Sequence, residues 1–385
     1  MTTSATSTAE PNAAHTHPPT DDAALATLRA LVGTPSVSGE EAAAVRIFAD
    51  HAAALGFDVE IDEAGSAIAT RGDSSSDAQE IILLGHIDTV PGDITVREEA
   101  GELWGRGSVD AKGPLAAMLL AAAGADLPTN ARVRVIAAVG EETPTSPGAR
   151  TVAPRFRPNA CIIGEPSGVN GVTLGYKGRL LAKLSTTQPG GHTAGQHGSA
   201  ADATIDWLNE ARSIIDRLNR INVDAARLDS AFDTITHTVQ HLGTTTDGLH
   251  DTATIDLGLR LPTWISPQEL QAELSAHTPA NTSLDFVGHE RAHCTTRNDP
   301  VVRALTTSIR AAGLTPRPKR KTGTADLNVV APVWNCPIAA YGPGDSSLDH
   351  TPDERLSLDE YLASITVLRR ALETLAEELT GTPNA

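Results

Sequence analysis

Glycine followed by histidine or a carboxylate recurs at the ends of apolar runs in this sequence. After IILL come Gly85, His86, Ile87 and Asp88, and after RVIAAV come Gly140, Glu141 and Glu142. After CII come Gly164, Glu165 and Pro166; after PIAAYG come Asp345, Asp349 and His350. A further acid, Asp110, stands in GRGSVDAKGP just ahead of an Ala-rich stretch. So many carboxylates in one cleft would repel one another and be driven towards protonation. Divalent cations remove that conflict. Two histidines with three or four carboxylates suit Zn²⁺, whose N and O ligands sit at roughly 2.0–2.2 Å. A shared carboxylate can hold two ions about 3.5–4 Å apart, a spacing that clamps a water or hydroxide nucleophile. In His86-x-Asp88 the second acid is placed to orient the imidazole from behind.

These side chains meet only if the elements carry them to one place. Helical spacing marks residues 23–31 and 40–55, and an Ala/Leu-rich helix is predicted over 113–125. Short apolar strands are predicted at 80–84, 133–139 and 161–163. Strands alternating with helices are the mark of a largely parallel sheet covered by helices. Ligands of such α/β sheets collect beyond the carboxyl ends of the strands. The four apolar runs above would therefore deliver their acids and histidines to one rim, with glycine at the exits allowing sharp turns. After about residue 175 the texture changes. Residues 253–261 alternate strictly, with Ala253, Ile255, Leu257, Leu259 and Leu261 on one side, which predicts a half-exposed antiparallel strand. With weaker strands at 179–186 and 234–242 and helices at 200–218 and 267–277, this stretch reads as a separate α+β unit of βαββαβ order. A helix at 300–312, a strand at 337–341 and a closing helix at 358–379 restore the α/β pattern. The expected division is a tail at 1–22, a body formed by 23–175 and 294–385, and an insertion at 176–293.

Composition narrows the function classes. The 385 residues carry 30 Lys+Arg against 48 Asp+Glu, a formal charge of −18, which argues against general nucleic-acid or anionic-membrane binding. No apolar run approaches the roughly 20 residues of a membrane span. Residues 1–22 lack the basic and apolar regions of a signal peptide and read as a solvated tail. Cys161, Cys294 and Cys336 are odd in number and widely spaced, so a reducing, cytoplasmic setting is expected. Cys161, on an apolar strand, reads as a core residue. Ser346 and Ser347 have no G-x-S-x-G context for nucleophilic hydrolysis. Only five lysines occur (112, 177, 183, 319 and 321), a composition that also suits a salt-adapted protein. The run Arg317, Lys319, Arg320, Lys321 reads either as a solvated patch or as an anion-binding one.

The stretches GHIDTVPGD, LWGRGSVDAKGPLAAML, VGEETPTSPGAR, IIGEPSG, GGHTAG and GPGDSSLDHTPDE span residues 85–354. Together they closely resemble the zinc-dependent family of acetylornithine deacetylase, succinyl-diaminopimelate desuccinylase and carboxypeptidase G. The order and spacing fit the whole chain apart from the tail, with small departures at Ser108-Val109 and at Pro147. The resemblance implies a catalytic domain with an inserted lid that also dimerises. It implies that His86, Asp110 and Glu165 hold one zinc, and that Asp110, Glu142 and His350 hold the other, with Co²⁺ a possible substitute. Glu141 would be the general base, and Asp88 would orient His86. His192 would reach the active site of a second subunit to stabilise the oxyanion, and Arg260 would take the substrate carboxylate.

GYKGRL at 175–180, KTGTADLN at 321–328 and YGPGDSSLDHTPDE at 341–354 narrow the likeness further. They resemble the subgroup that releases lysine or ornithine from the acidic amino-group carrier LysW, in lysine or arginine biosynthesis. That likeness adds Lys177, Arg179, Lys321, Gly323 and Thr324 as candidate substrate-binding residues and an acidic carrier as a partner. The competing expectation is a small-molecule deacylase, such as an acetylornithine or acetyllysine deacetylase, or a dipeptidase. A catalytically silent binding fold is the third reading, and the complete ligand-and-base set speaks against it.

Overall fold

The computed structural model describes residues 18–192, 198–279 and 282–381. Most of the expected tail, with His15 and His17, lies outside the described residues, as does His197. The chain opens with helices α1 (Asp21–Val32) and α2 (Ala42–Ala54). The hairpin β1 (Asp58–Ile61) and β2 (Ala67–Gly72) leads into β3 (Gln79–His86). Short strands β4 (Arg97–Glu99) and β5 (Glu102–Trp104) then precede α3 (Lys112–Gly124) and β6 (Ala131–Ala138). Helix α4 (Pro147–Val152) and strands β7 (Ala160–Gly164) and β8 (Gly171–Tyr176) follow. Next come β9 (Gly178–Pro189), α5 (Ala200–Asn222), β10 (Thr236–Thr246), β11 (His250–Leu261), α6 (Pro267–Ser275) and β12 (Thr282–Glu290). The last stretch holds β13 (His293–Cys294), α7 (Pro300–Ala311), β14 (Arg317–Lys321), α8 (Asp326–Trp334), β15 (Ile338–Ala340), β16 (Arg355–Ser357) and α9 (Leu358–Thr380).

The large sheet runs β1-β2-β6-β3-β7-β15-β8-β13, with β14 also paired to β8. Its centre, β6-β3-β7-β15, is parallel, as the alternating pattern predicts, while β1, β2, β8 and β13 add antiparallel pairs at its flanks. Successive side chains of β3 serve opposite faces. Ile81 and Leu83 join a core with α1, α2, α3, α7 and α9; Ile82 and Leu84 join a smaller one with α4 and α8. Helix α3 is buried from Lys112 to Ala123, which is why its sequence is apolar on every face. Its buried Lys112 donates to the Thr34 carbonyl at 2.6 Å.

The second sheet, β10-β11-β9-β12, is wholly antiparallel and has its own core. Leu180, Leu184, Leu257 and Leu259 from the strands meet Trp207, Ile214, Leu270 and Leu274 from α5 and α6. Both helices start at capping boxes, Ser199 with Asp202 and Ser266 with Glu269. The βαββαβ order expected from the sequence is present. A third small sheet, β16-β5-β4, completes the fold. Among the described residues, no helix is long and apolar enough to cross a membrane.

Candidate metal centre

Parallel register sets the site. Gly85 of β3 lies beside Ala137 of β6 and Gly164 of β7, so the three strands end at one level. From that rim rise His86, the pair Glu141 and Glu142, and Glu165. Gly140 turns the chain after β6 with φ of +69°, a conformation that a side chain would resist. His350 itself sits at φ 61°, strain of the kind that collects at functional sites. Asp110 approaches from the loop before α3, where Gly113 is required: a Cβ there would lie 2.2 Å from the Ser108 carbonyl oxygen.

The His86 Nδ1 lies 3.1 Å from the Asp88 carbonyl oxygen. A carbonyl only accepts, so Nδ1 carries a proton, and Nε2 is the nitrogen turned towards the cluster, where a neutral ring would offer its lone pair to a cation. That Nε2 faces Asp110 Oδ1 at 3.2 Å and Glu165 Oε1 at 3.9 Å. Opposite, His350 Nε2 lies 3.1 Å from Asp110 Oδ2 and 2.9 Å from Glu142 Oε1. Asp110 thus stands between two imidazoles, one carboxylate oxygen to each. Ligand atoms of His86, Asp110 and Glu142 all lie within 4.8 Å of one another. Carboxylates and imidazole nitrogens this close need positive charge between them, from protons or from metal ions, and the N/O donor set fits divalent cations.

The electrostatics agree. Burial, then repulsion from Asp110, pushes Glu165 up to about 7. Burial pushes Glu141 well above the usual carboxylate range despite the neighbouring His86. Asp110 stays below that range: burial opposes its ionisation, but the bonds from His350 and His86 outweigh it. His350 is raised to about 10 by Asp110 and Glu142. Without cations the cluster holds its acids in conflict, with some forced neutral and the imidazoles charged.

Asp88 is fully buried. Its Oδ1 accepts from the Glu141 N–H at 3.0 Å; its Oδ2 accepts from the Glu142 N–H at 3.1 Å and from the Ser38 hydroxyl at 2.7 Å. The sequence pointed Asp88 at His86, and its carboxylate indeed lies 3.5 Å from Nδ1. Its stronger contacts pin the loop that carries both glutamates.

A cavity of about 640 Å³ opens over the cluster. Arg179, Arg260, Lys321, Gly323 and Thr324, candidate substrate-binding residues, line it. Arg260 Nη1 donates to the Thr324 hydroxyl at 2.7 Å, and Lys321 Nζ lies 3.8 Å from Glu165. Arg179 is held by Glu290 at 3.1 Å. Lys177 is a correction. Its ammonium is fully buried and donates to the carbonyls of Ala231 and Thr234, each at 2.6 Å, and to the Thr236 hydroxyl at 3.1 Å. It ties the chain crossing at β8–β9 to the loop before β10 and does not line the cavity. His192 is exposed and is not among the lining residues of this chain. The basic run forms strand β14, which is exposed along most of its length and brings Arg320 and Lys321 to the cavity. Lys319 Nζ donates to the Ser167 carbonyl at 2.7 Å, while Arg320 stacks on Phe232 and reaches the cavity rim.

Two buried acids stand out that the sequence reading did not single out. Glu354 is fully buried; its Oε1 accepts from the N–H groups of Val109 and Asp110 at 3.0 and 3.1 Å, and its Oε2 accepts from Arg106 at 2.7 Å. It holds the Asp110 loop from behind, and the PDE triplet within the last motif was its one sequence signal. Asp326, in KTGTADLN, is buried with both carboxylate oxygens lacking a hydrogen-bond partner among the described residues, and burial raises it to about 8.

Residues 82–374 match the sequence pattern of peptidase family M20/M25/M40. The chain is 44% identical to a [LysW]-lysine hydrolase of Deinococcus radiodurans, over 93% of this chain and 99% of that protein. It is 40% identical to a putative [LysW]-lysine/[LysW]-ornithine hydrolase of Thermococcus kodakarensis, over 90% of this chain and 91% of that one. Its fold matches the M20 family metallo-carboxypeptidase Sso-CP2 of Sulfolobus solfataricus with a TM-score of 0.74 at 17% identity, covering 92% and 99% of the two chains. The converging strand ends, the cation-seeking cluster and these likenesses agree, and the chain belongs to peptidase family M20/M25/M40.

Proposed function

We propose that the protein is a dinuclear zinc amidohydrolase that frees lysine or ornithine from the carrier LysW. The observation that carries the chemistry is Asp110 set between His86 and His350, with Glu141 on the same pinned loop as Glu142. The substrate rests on the two curated relatives, whose names specify LysW-linked lysine and ornithine. His86, Asp110 and Glu165 would hold one Zn²⁺; Asp110, Glu142 and His350 would hold the other. When bound, the metal pair supplies Lewis-acid polarisation of the amide carbonyl and lowers the pKa of the attacking water.

The chain's own groups do the rest. Glu141, raised by burial, takes the proton from the attacking water and returns it to the departing α-amine. Asp88 fixes the backbone from which Glu141 projects. Arg260, held by Thr324, is oriented towards the α-carboxylate of the released amino acid. Residues 176–293 form a lid on the body of 23–175 and 294–385. The exposed His192 serves the active site of a second subunit in a homodimer, stabilising the oxyanion. Cations at the rim, Arg179, Arg320 and Lys321, suit an acidic acyl donor.

Purified enzyme given carrier-linked lysine, carrier-linked ornithine and N-acetylornithine tests the reading through kcat/KM. A preference of at least about tenfold for a carrier-linked substrate is expected, since docking of the carrier adds binding energy that an acetyl group lacks. A preference for N-acetylornithine would make this a small-molecule deacylase instead. Glu141→Ala should retain metal and fold while losing about 10²–10⁴-fold in turnover. An active Glu141→Ala enzyme would remove the mechanism.

A further inference from the structure

The loop that carries Glu141 and Glu142 is gripped at two places. At its start, Asp88 takes the N–H groups of both glutamates. Further on, two arginines take consecutive carbonyls: Arg179 Nη2 donates to Pro144 at 3.2 Å and Arg150 Nε to Thr145 at 2.8 Å. One buried carboxylate gathers both guanidiniums. Glu290 Oε1 accepts from Arg150 at 2.6 Å, and its Oε2 accepts from Arg179 at 3.1 Å. Arg150 belongs to α4, beside the large sheet, while Arg179 and Glu290 are cross-strand partners on β9 and β12 of the second sheet. The far end of the loop is therefore clamped from both sheets at once.

This grip has something to resist. Gly140 and Ser146 bracket the loop, and both sit in the left-handed region, with φ of +69° and +40°. Glycine adopts that region freely and serine does not. Strained backbone persists only where its surroundings over-determine it. The clamp is itself anchored. Glu290 adjoins Arg291, whose carbonyl accepts from Asn328 Nδ2 at 2.7 Å, and the same nitrogen donates to the Lys177 carbonyl at 3.2 Å. A Cβ on Gly178 would lie 2.4 Å from the Glu290 carbonyl oxygen, so the two passages of chain between the sheets run backbone against backbone.

We propose that Arg150 and Glu290 are positioning residues for the general base. Asp88 fixes where the loop begins; the Arg150–Glu290–Arg179 clamp fixes where it ends, and the Glu141 carboxylate keeps its aim between the two. The inference rests on the functional reading for the role of Glu141. Glu290 lines the cavity and Arg150 stands outside the lining, so an effect shared by both cannot come from contact with substrate.

Arg150→Met, Glu290→Gln and the double variant test this with carrier-linked lysine and N-acetylornithine at saturating zinc. Each single variant should lose about 10- to 100-fold in kcat, the scale of a misplacement near 1 Å, with KM held within about twofold on whichever substrate is turned over. Zinc content should equal that of wild type. The double variant should be no worse than the poorer single one, because both changes open the same clamp. Amide hydrogen exchange of the peptide spanning 141–146, followed by mass spectrometry, should quicken in every variant. Wild-type kcat in Arg150→Met, additive losses in the double variant, or a fall in kcat that tracks loss of zinc would each overturn the proposal. If wild type hydrolyses neither substrate, the functional reading fails and exchange decides alone: faster exchange upholds the clamp, and unchanged exchange overturns it.

Discussion

Glu354 illustrates how much of a site can depend on a residue that never reaches it. Its two oxygens take three donors, two of them backbone N–H groups of the Asp110 loop, in a fully buried setting. Glu354→Ala leaves those donors and Arg106 unsatisfied, at about 1–3 kcal/mol for each buried group without a partner. We expect Glu354→Ala to lower Tm by several degrees and to weaken zinc binding, read by thermal unfolding and by competition with a chromophoric chelator. Unchanged Tm and affinity would show that the loop holds itself. The thiols offer a second expectation. Burial raises Cys161 well above its usual range, raises Cys294 and pushes Cys336 up to about 12. Since the thiolate is the reactive form, all three should react slowly with a disulfide reagent at pH 8 in the native protein and rapidly in urea. One fast native thiol would contradict this.

Helix α3 and its approach loop work as one unit. Because a Cβ on Gly113 would meet the Ser108 carbonyl, Gly113→Ala must move the turn that carries Asp110. A loss of about 1–3 kcal/mol is expected for such overpacking, with a larger fall in activity than Asp110's unchanged chemistry would suggest. Circular dichroism melts and kcat/KM on one preparation would separate the two effects; normal activity would show that the loop adapts. Elements of this kind were legible in the sequence. β3, β6, β7 and β11 announced themselves by apolar runs or strict alternation, and the exits of the first three carried the acids. Strand β8, buried on all six residues, was hidden because GVTLGY is too short and glycine-rich to show a period. Strand β14 was hidden because RPKRK is charged and mostly exposed, and pairing with β8 alone makes it a strand. Lys177 misled for the reverse reason: a lysine beside a substrate motif looks like a ligand group until tertiary contacts reveal three acceptors around it. Glu354 acts from behind the site, and only its place in the PDE triplet of the last motif marked it in the sequence.

The formal charge of −18 belongs to the whole molecule, but the acids of the cluster should be compensated when metal is bound. Chelation should therefore destabilise the fold twice over, by losing ligand binding and by restoring repulsion among the clustered acids. At 100-fold excess over Kd, bound ions add about 2.7 kcal/mol for each independent site, so stripping zinc should lower Tm, and adding it back should restore both Tm and activity. A Tm indifferent to chelation would remove the cations from this account. The remaining surface charge repels itself, and salt screens it within about 8 Å at 0.15 M. Raising KCl should accordingly raise Tm while lowering kcat/KM for a carrier-linked substrate and sparing a neutral small one. Equal salt effects on both substrates would mean that the basic rim does not steer the carrier.

The buried carboxylate of Asp88 has a mechanical meaning. One side chain, anchored at the end of the central strand, grips two consecutive peptide N–H groups. Glu141 and Glu142, the proposed base and the proposed metal ligand, are therefore not independent parts. Any movement of the strand end carries both glutamates together, and residues 176–293 touch the same stretch of chain through Arg179 on the Pro144 carbonyl and Glu290 on Arg150. Reaction geometry is thus inherited from the most deeply packed piece of the molecule.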